Sequence, residues 1–311
     1  MGVPARSEDE RRADIRACHA ILARGSKSFV AASRMLPSRL QDRTAALYAF
    51  CRVSDDAVDL GADASSALAR LHARLDRVYV GHPDLDPVDR SFCDLVHEID
   101  IPKAIPAALL EGFAWDAERR RYATPEALEA YCARVASTVG VMMTLVFGSR
   151  SPALLARAAE LGLAMQLTNI CRDVGEDARA GRVYLPLDWL AEVGLDADGL
   201  VVRPEPSPAL AAVVERTLAL AEIFYRRADG GMRLYPRDCR LGVRAARLIY
   251  AEIGRVIARH GYDSVTTRAY TSKARKLFLL ARALPALLFP GPASSEPPAP
   301  AVQFLVDAVA G

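Results

Sequence analysis

Apolar side chains recur every three or four residues along most of this chain, and no stretch alternates apolar with polar residues between turn signals. That pattern restricts the fold to packed helices. Broken at Pro and Gly, it predicts helices over 8–24, 39–60, 64–80, 87–99, 103–121, 125–148, 152–178, 206–230, 238–260 and 265–284. Short breaks such as GADASS, GHPDLDP and DGLVVRPEPSP separate them. With no repeat and no interdomain linker, residues 1–289 read as one all-α bundle. The segment PGPASSEPPAP (290–300) cannot be helical and leads to a short amphipathic tail, AVQFLVDAVAG. That tail is expected either to pack or fray at the chain's end, or to touch a membrane surface.

Two of these helices carry charge where a core helix would carry leucine. In LYAFCRVSDDAVD (47–59), Tyr48, Arg52, Asp55 and Asp59 are spaced four, three and four apart. At 100° per residue they share a sector of roughly 60°, while Asp56 points about 100° away from Asp55. Asp56 is therefore the aspartate expected to tolerate change best. In QLTNICRDVGED (166–177), Gln166, Asn169, Asp173 and Asp177 form a second narrow stripe, and Gly162 extends it one turn earlier. Lacking a side chain, Gly162 is expected to leave space beside that line.

The bland alternative is that each stripe is a solvated helix face, as isolated acidic pairs usually are. These stripes are narrow, and residues 161–171 carry no charge at all. Like charges four residues apart repel, and buried unpaired carboxylates cost several kcal/mol each. Such helices need a compensating cation. Magnesium fits, because it takes oxygen ligands, one or two carboxylates at a time, and completes its shell with water and phosphate. A diphosphate would bridge the ions, with Arg52, Arg172 and Arg182 neutralising the remainder. No His or Cys lies on either face, which argues against zinc. The helix YCARVASTVGVMMTLVFG (131–148) is apolar beyond Arg134, with small residues at Ala136, Ser137 and Gly140. It reads equally as an ordinary core helix or as a wall along which a hydrocarbon lies.

Composition excludes other classes. A net charge of +2 without a block of basic residues argues against a dedicated nucleic-acid binder. Six scattered cysteines, with no CxxC pair, read as reduced thiols of a cytosolic protein. The polar N-terminus lacks the apolar core of a signal peptide, and no run of apolar residues is long enough to span a bilayer. A cytoplasmic protein, at most peripheral to a membrane, is expected.

Three segments together resemble the squalene/phytoene synthase family of head-to-head prenyl synthases. They are GSKSF (25–29) with YAFCRVSDDAVD, then YCARVASTVGVMM, then LGLAMQLTNICRDVGEDARAGRVYLP (161–186). With a C-terminal echo in RLIYAEIGRVIARHGYD, the similarity spans roughly residues 15–285. The third segment is the most specific; the first alone is only suggestive.

The resemblance implies an isoprenoid-synthase helical bundle around a central cavity, dependent on Mg²⁺ with Mn²⁺ as a substitute. By position, it implies Asp55 and Asp59 as metal ligands on one side, with Asp173, Asp177 and Asn169 on the other. Gln166 matches a polar cavity position, and Arg52, Arg172 and Arg182 match diphosphate contacts. Tyr48, Tyr131 and Tyr184 match tyrosines of the reaction chamber. Ser26, Ser28 and Phe29 match the entrance helix, and Tyr250 and Arg268 match positions serving the diphosphate. Within the family, ALYAFCRVSDDAVD and FVAASRMLP look most like the bacterial phytoene-forming branch. That implies condensation of two geranylgeranyl diphosphates through a cyclopropyl diphosphate, without NADPH. Farnesyl diphosphate as substrate, giving squalene or dehydrosqualene, is the alternative. A non-catalytic assembly protein of the same fold is a third reading, but its expected signature is eroded aspartate motifs, whereas all four stripe aspartates are present. The resemblance also allows contact with a membrane and with other carotenoid-forming enzymes.

Overall fold

The computed structural model describes residues 6–25, 27–59, 64–288, 291, 294 and 296–311, and the described residues contain no strand. In chain order the helices are α1 (Glu8–Gly25), α2 (Lys27–Ser33), α3 (Ser38–Asp59), α4 (Ala64–Tyr79), α5 (Pro87–Ile99), α6 (Ala104–Ala117) and α7 (Pro125–Cys132). They continue with α8 (Thr138–Val146), α9 (Pro152–Arg179), α10 (Leu187–Glu192), α11 (Ala197–Val202), α12 (Pro208–Asp229), α13 (Arg240–Arg259), α14 (Lys273–Ala283) and α15 (Gln303–Ala310). Local chemistry explains several starts. Asp86, Thr124 and Ser207 each accept a backbone N–H from the first helical turn, and each precedes a Pro whose missing N–H is no loss there.

α9 is the central element, packed against α12, α8, α13 and α15. Leu154, Leu155, Leu163 and Leu167 on it are fully buried. Elsewhere in the core, Phe50 of α3 stacks on Phe92 of α5 with ring centroids 3.8 Å apart. All six cysteines are unpaired, and all but Cys51 are buried.

Four departures from the periodicity have identifiable causes. α2 is only two turns long, too short for its pattern to register. The helix expected over 125–148 is interrupted at Ala133–Ser137 by a π-turn, which inserts one residue and rotates the faces of α8 relative to α7. α6 stops at Ala117 because Arg119 takes a left-handed φ of 51° and closes the turn. α14 starts at Lys273, since Ser272 caps Arg275 N–H while Asp263 ties down the N–H groups of Val265 and Thr266. Two short helices, α10 and α11, also occupy a stretch that reads as a break.

The tail is held by a buried ionic cluster. Glu160 is fully buried and pairs with Arg157 at 3.1 Å and Arg227 at 2.7 Å. The same arginines donate to the carbonyls of Glu296 and Pro297, and Glu160 accepts the N–H of Ala299 at 3.1 Å. Beyond it, Leu305, Val306 and Val309 of α15 are buried against the bundle, so the apolar side of this helix faces protein.

Candidate active site

α9 supplies one wall. Gln166 and Asn169 face a cavity with about 1000 Å³ of atom-free space, part of it continuous with solvent. The rest of its lining is almost wholly apolar, including Phe29, Leu36, Val139, Met143, Phe147, Met165 and Val243, and Tyr250 also lines it. Asn169 Nδ2 donates to Gln166 Oε1 at 3.3 Å, while Asn169 Oδ1 is buried and accepts no hydrogen bond from the described residues.

One and two turns further along, the wall becomes charged. Arg172 donates twice to Asp173, at 2.8 and 2.5 Å, and Arg268 donates at 2.8 Å. Burial works against the charged form of Asp173, but the hydrogen bonds from Arg172 and Arg268 outweigh it and hold the carboxyl below its usual range. Asp177 behaves oppositely. Burial, then the charge of Asp173, push it up to about 7 against the pull of Arg182. After Arg179 the chain turns at Gly181, whose φ of 77° suits glycine. Arg182 N–H then donates to the Asp177 carbonyl at 2.8 Å, bringing Arg182 and Tyr184 back beside the helix end.

Asp116, in the last turn of α6, is a site residue that no sequence pattern announces. It accepts Tyr131 Oη at 2.8 Å and Tyr184 Oη at 2.7 Å, and the two rings stack with centroids 5.2 Å apart. Burial, then the negative charge of Asp116, raise both phenols far above their ordinary range. In sequence Asp116 stands at the head of the charged run DAERRR and belongs to no stripe, so only tertiary contact singles it out. Tyr131 and Tyr184 gather on this carboxylate, apart from the lining of the apolar cavity.

α3 supplies the other charged helix. Tyr48 packs against Phe29 with centroids 5.0 Å apart, and burial raises its phenol. Arg52 is bonded through two nitrogens to Asp56, with Asp55 at 3.6 Å. Asp56, expected to be a bystander, is thus the residue that holds the Arg52 guanidinium in this state. The Asp55 side chain is 39% exposed, more open than its apolar flanks suggested. Asp59 ends α3 and Ser28 lies in the first turn of α2, but their side chains, and all of Ser26, fall outside the described residues.

Gly162 lines the cavity, as expected of a residue that leaves space beside the stripe, but the position of its missing side chain is occupied. A Cβ there would meet Ser137 Cα at 2.6 Å and Ala136 O at 2.7 Å. That Cβ position is filled by the π-turn backbone. Ser137 Oγ donates to Ala159 O at 2.6 Å across the same crossing, and a Cβ at Gly140 would strike Ala158 O at 2.5 Å.

Among the described residues, no three His, Cys, Asp or Glu side chains gather closely enough to cage a metal ion. The donors present still suit one. They are oxygens, Asn169 Oδ1 is buried without a partner, and Asp177 is a buried carboxyl beside another carboxylate. A hard cation sharing its shell with water and phosphate needs no protein cage.

A family model described as squalene/phytoene synthase matches residues 22–275, which take in both stripes and the cavity. The chain belongs to the squalene/phytoene synthase family. A phytoene synthase of Rhodobacter capsulatus is 49% identical over 306 residues, covering 96% of this chain and 90% of the relative. One from Cereibacter sphaeroides is 48% identical over 313 residues, covering 96% and 88%. Among solved structures, a dehydrosqualene synthase crystallised with a ligand superposes with a TM-score of 0.82 at 32% identity, covering 90% of this chain and 98% of that one. The helical isoprenoid-synthase fold is thereby shared, and the chain is an enzyme of prenyl transfer. Dependence on a divalent metal goes with this family.

Proposed function

We propose that this chain is a 15-cis-phytoene synthase that joins two geranylgeranyl diphosphates head to head. The carrying observation is an apolar cavity with Gln166 and Asn169 on its wall and, one turn further on the same helix, the Arg172–Asp173–Arg268 cluster. A long hydrocarbon and a diphosphate need just that division. Near-half identity to relatives named phytoene synthase supports the choice of substrate and product.

Mg²⁺ bound by Asp55 and Asp59 on one helix, and by Asn169, Asp173 and Asp177 on the other, would supply Lewis-acid charge to the departing diphosphate. Arg52, Arg172, Arg182 and Arg268 would receive the diphosphate oxygens, the first exchanging Asp56, and the second and fourth exchanging Asp173, for phosphate. Loss of diphosphate from the first substrate leaves an allylic cation, which the double bond of the second attacks. A proton leaves and a cyclopropyl diphosphate forms. It ionises in turn, rearranges, and loses a proton to give the conjugated triene without a hydride donor. The apolar lining excludes water that would quench the cations. Tyr131 and Tyr184 donate their hydroxyl hydrogens to Asp116 in hydrogen bonds, which leaves their oxygens as acceptors toward other groups.

A forty-carbon hydrocarbon dissolves in a bilayer and not in water, so contact of this enzyme, in the cytoplasm, with a membrane surface belongs to the proposal. The test is incubation of the purified protein with geranylgeranyl diphosphate and Mg²⁺ without NADPH. Phytoene is expected. A product from farnesyl diphosphate with none from geranylgeranyl diphosphate would transfer the assignment to dehydrosqualene formation, the activity named for the 32%-identical structure.

A further inference from the structure

Ten large apolar side chains stand exposed among the described residues, and five of them fall between Tyr270 and Leu288. Tyr270, Leu277 and Leu288 are each at least 70% exposed, and Phe278 and Leu284 about half. Leu277, Ala281 and Leu284 succeed one another at spacings of four and three, a continuous line along α14 and into the turn beyond it. The opposite line, Leu279 and Ala283, is buried against Ala245, Leu248 and Ile249 of α13. The helix is therefore apolar on both sides, and only one side has a protein partner among the described residues.

Charge identifies the partner. Between Asp263 and Glu296 the sequence has five basic residues and no acidic one. Arg268 is paired with Asp173 and Glu176 of α9, and Glu252 of α13, which pairs with Arg275, is met by Arg255 and Arg259 as well, so the balance around α14 stays positive. A second copy of this chain, related by a two-fold axis, would set this basic surface against itself. An anionic lipid surface meets both needs: acyl chains for the leucines, headgroups for Lys273 and Arg282. Tyr270 has the amphipathic ring favoured at that boundary. No described helix is long and apolar enough to cross a membrane, so the contact would lie in the interface.

We propose that α14 and its flanks, from Tyr270 to Leu288, form the surface by which this enzyme rests on an anionic bilayer. Its position suits the product. α14 packs on α13, α13 packs on α2, and residues of those two helices, Phe29, Ala32, Gly242, Val243 and Ala246, line the apolar cavity. One helical layer separates the lipid-facing line from the hydrocarbon chamber. The inference deepens the membrane contact in the functional reading, but it can be tested without turnover.

The experiment is flotation of the full chain with phosphatidylcholine vesicles, with and without roughly one-third phosphatidylglycerol. Wild type should float with the anionic vesicles, release as salt rises, and stay largely unbound with the neutral ones. Leu277→Ser with Leu284→Ser, and separately Lys273→Glu with Arg282→Glu, should each weaken partitioning about tenfold or more. Both variants should keep the wild-type melting curve and turnover of detergent-dispersed substrate. No vesicle binding by wild type, or unchanged binding by both variants, overturns the proposal. So does a concentration-dependent dimer that the leucine substitutions abolish, since the face would then belong to a second copy. Phytoene formation without vesicle binding would refute the surface alone; vesicle binding without phytoene formation would refute the activity alone.

Discussion

Gly162→Ala tests the idea that the crossing of α9 with the π-turn sets the position of the active-site wall. In an open helix this substitution stabilises by about 1 kcal/mol, because alanine loses less backbone freedom on folding. At Gly162 the new methyl would lie 2.6 Å from Ser137 Cα and 2.7 Å from both Ser137 N and Ala136 O, all backbone. Ordinary contact begins at 3.4 Å, so the two helices must part by about 0.8 Å. Overpacking of this kind costs about 1–3 kcal/mol, which leaves a net loss of about 1 kcal/mol after the gain in propensity. Gly254→Ala is the matched control. It is the same change inside α13, but the methyl meets only Leu218 Cδ2 at 3.2 Å, the far end of a flexible side chain. It should keep most of the gain. Urea unfolding at unchanged slope should therefore separate the two variants by about 2 kcal/mol. Gln166 and Asn169 ride on the displaced helix one and two turns away, so Gly162→Ala should also lose about tenfold or more in turnover, and Gly254→Ala none. If Gly162→Ala is as stable as Gly254→Ala and fully active, the close crossing does not position the site.

Three further outcomes concern the charged residues of the site. Asp173→Asn should lower product formation at least about a hundredfold while the melting curve shows a folded protein, since it removes the negative charge and one of the two acceptor oxygens that serve Arg172 and Arg268; full activity would return this stripe to the solvated-face reading. Asp177 binds its proton more tightly folded than unfolded, so in metal-free protein its contribution is present below its ordinary value of 3.8 and is lost as pH rises to about 7. A divalent ion reverses that loss, and Mg²⁺ should raise the melting temperature more at about pH 8 than at about pH 5.5; equal shifts would show that Asp177 does not meet the ion. Asp116→Ala strands two phenol hydroxyls and should cost about 1–3 kcal/mol for each. Adding Tyr131→Phe to it should cost less than the same change in wild type, a coupling that vanishes if the hydrogen bond is unimportant.

Much of the architecture was legible because an amphipathic helix writes its period into the chain. The segments that begin at Glu8, Ala64, Pro87 and Pro208 start within two residues of where apolar spacing and capping residues placed them. The second stripe was legible for the same reason: residues three and four apart share a helix face whatever surrounds the helix. That is local geometry, and sequence alone determines it.

The partner that a face meets is not local. Gly162 borders the cavity, but the fold set the backbone of Ser137, 25 residues earlier in the chain, where a side chain at Gly162 would have pointed. Arg52 and Asp56 are the exception, an i,i+4 pair on one helix that the period alone could have announced. Asp116 belongs to no pattern, and it gained a role only when α6, α7 and the turn after α9 brought two phenols to it. The exposed side of α14 likewise became visible only once α13 had covered the other. Periodicity states which residues travel together, while the long-range contacts that decide their partners are set by packing the whole bundle at once.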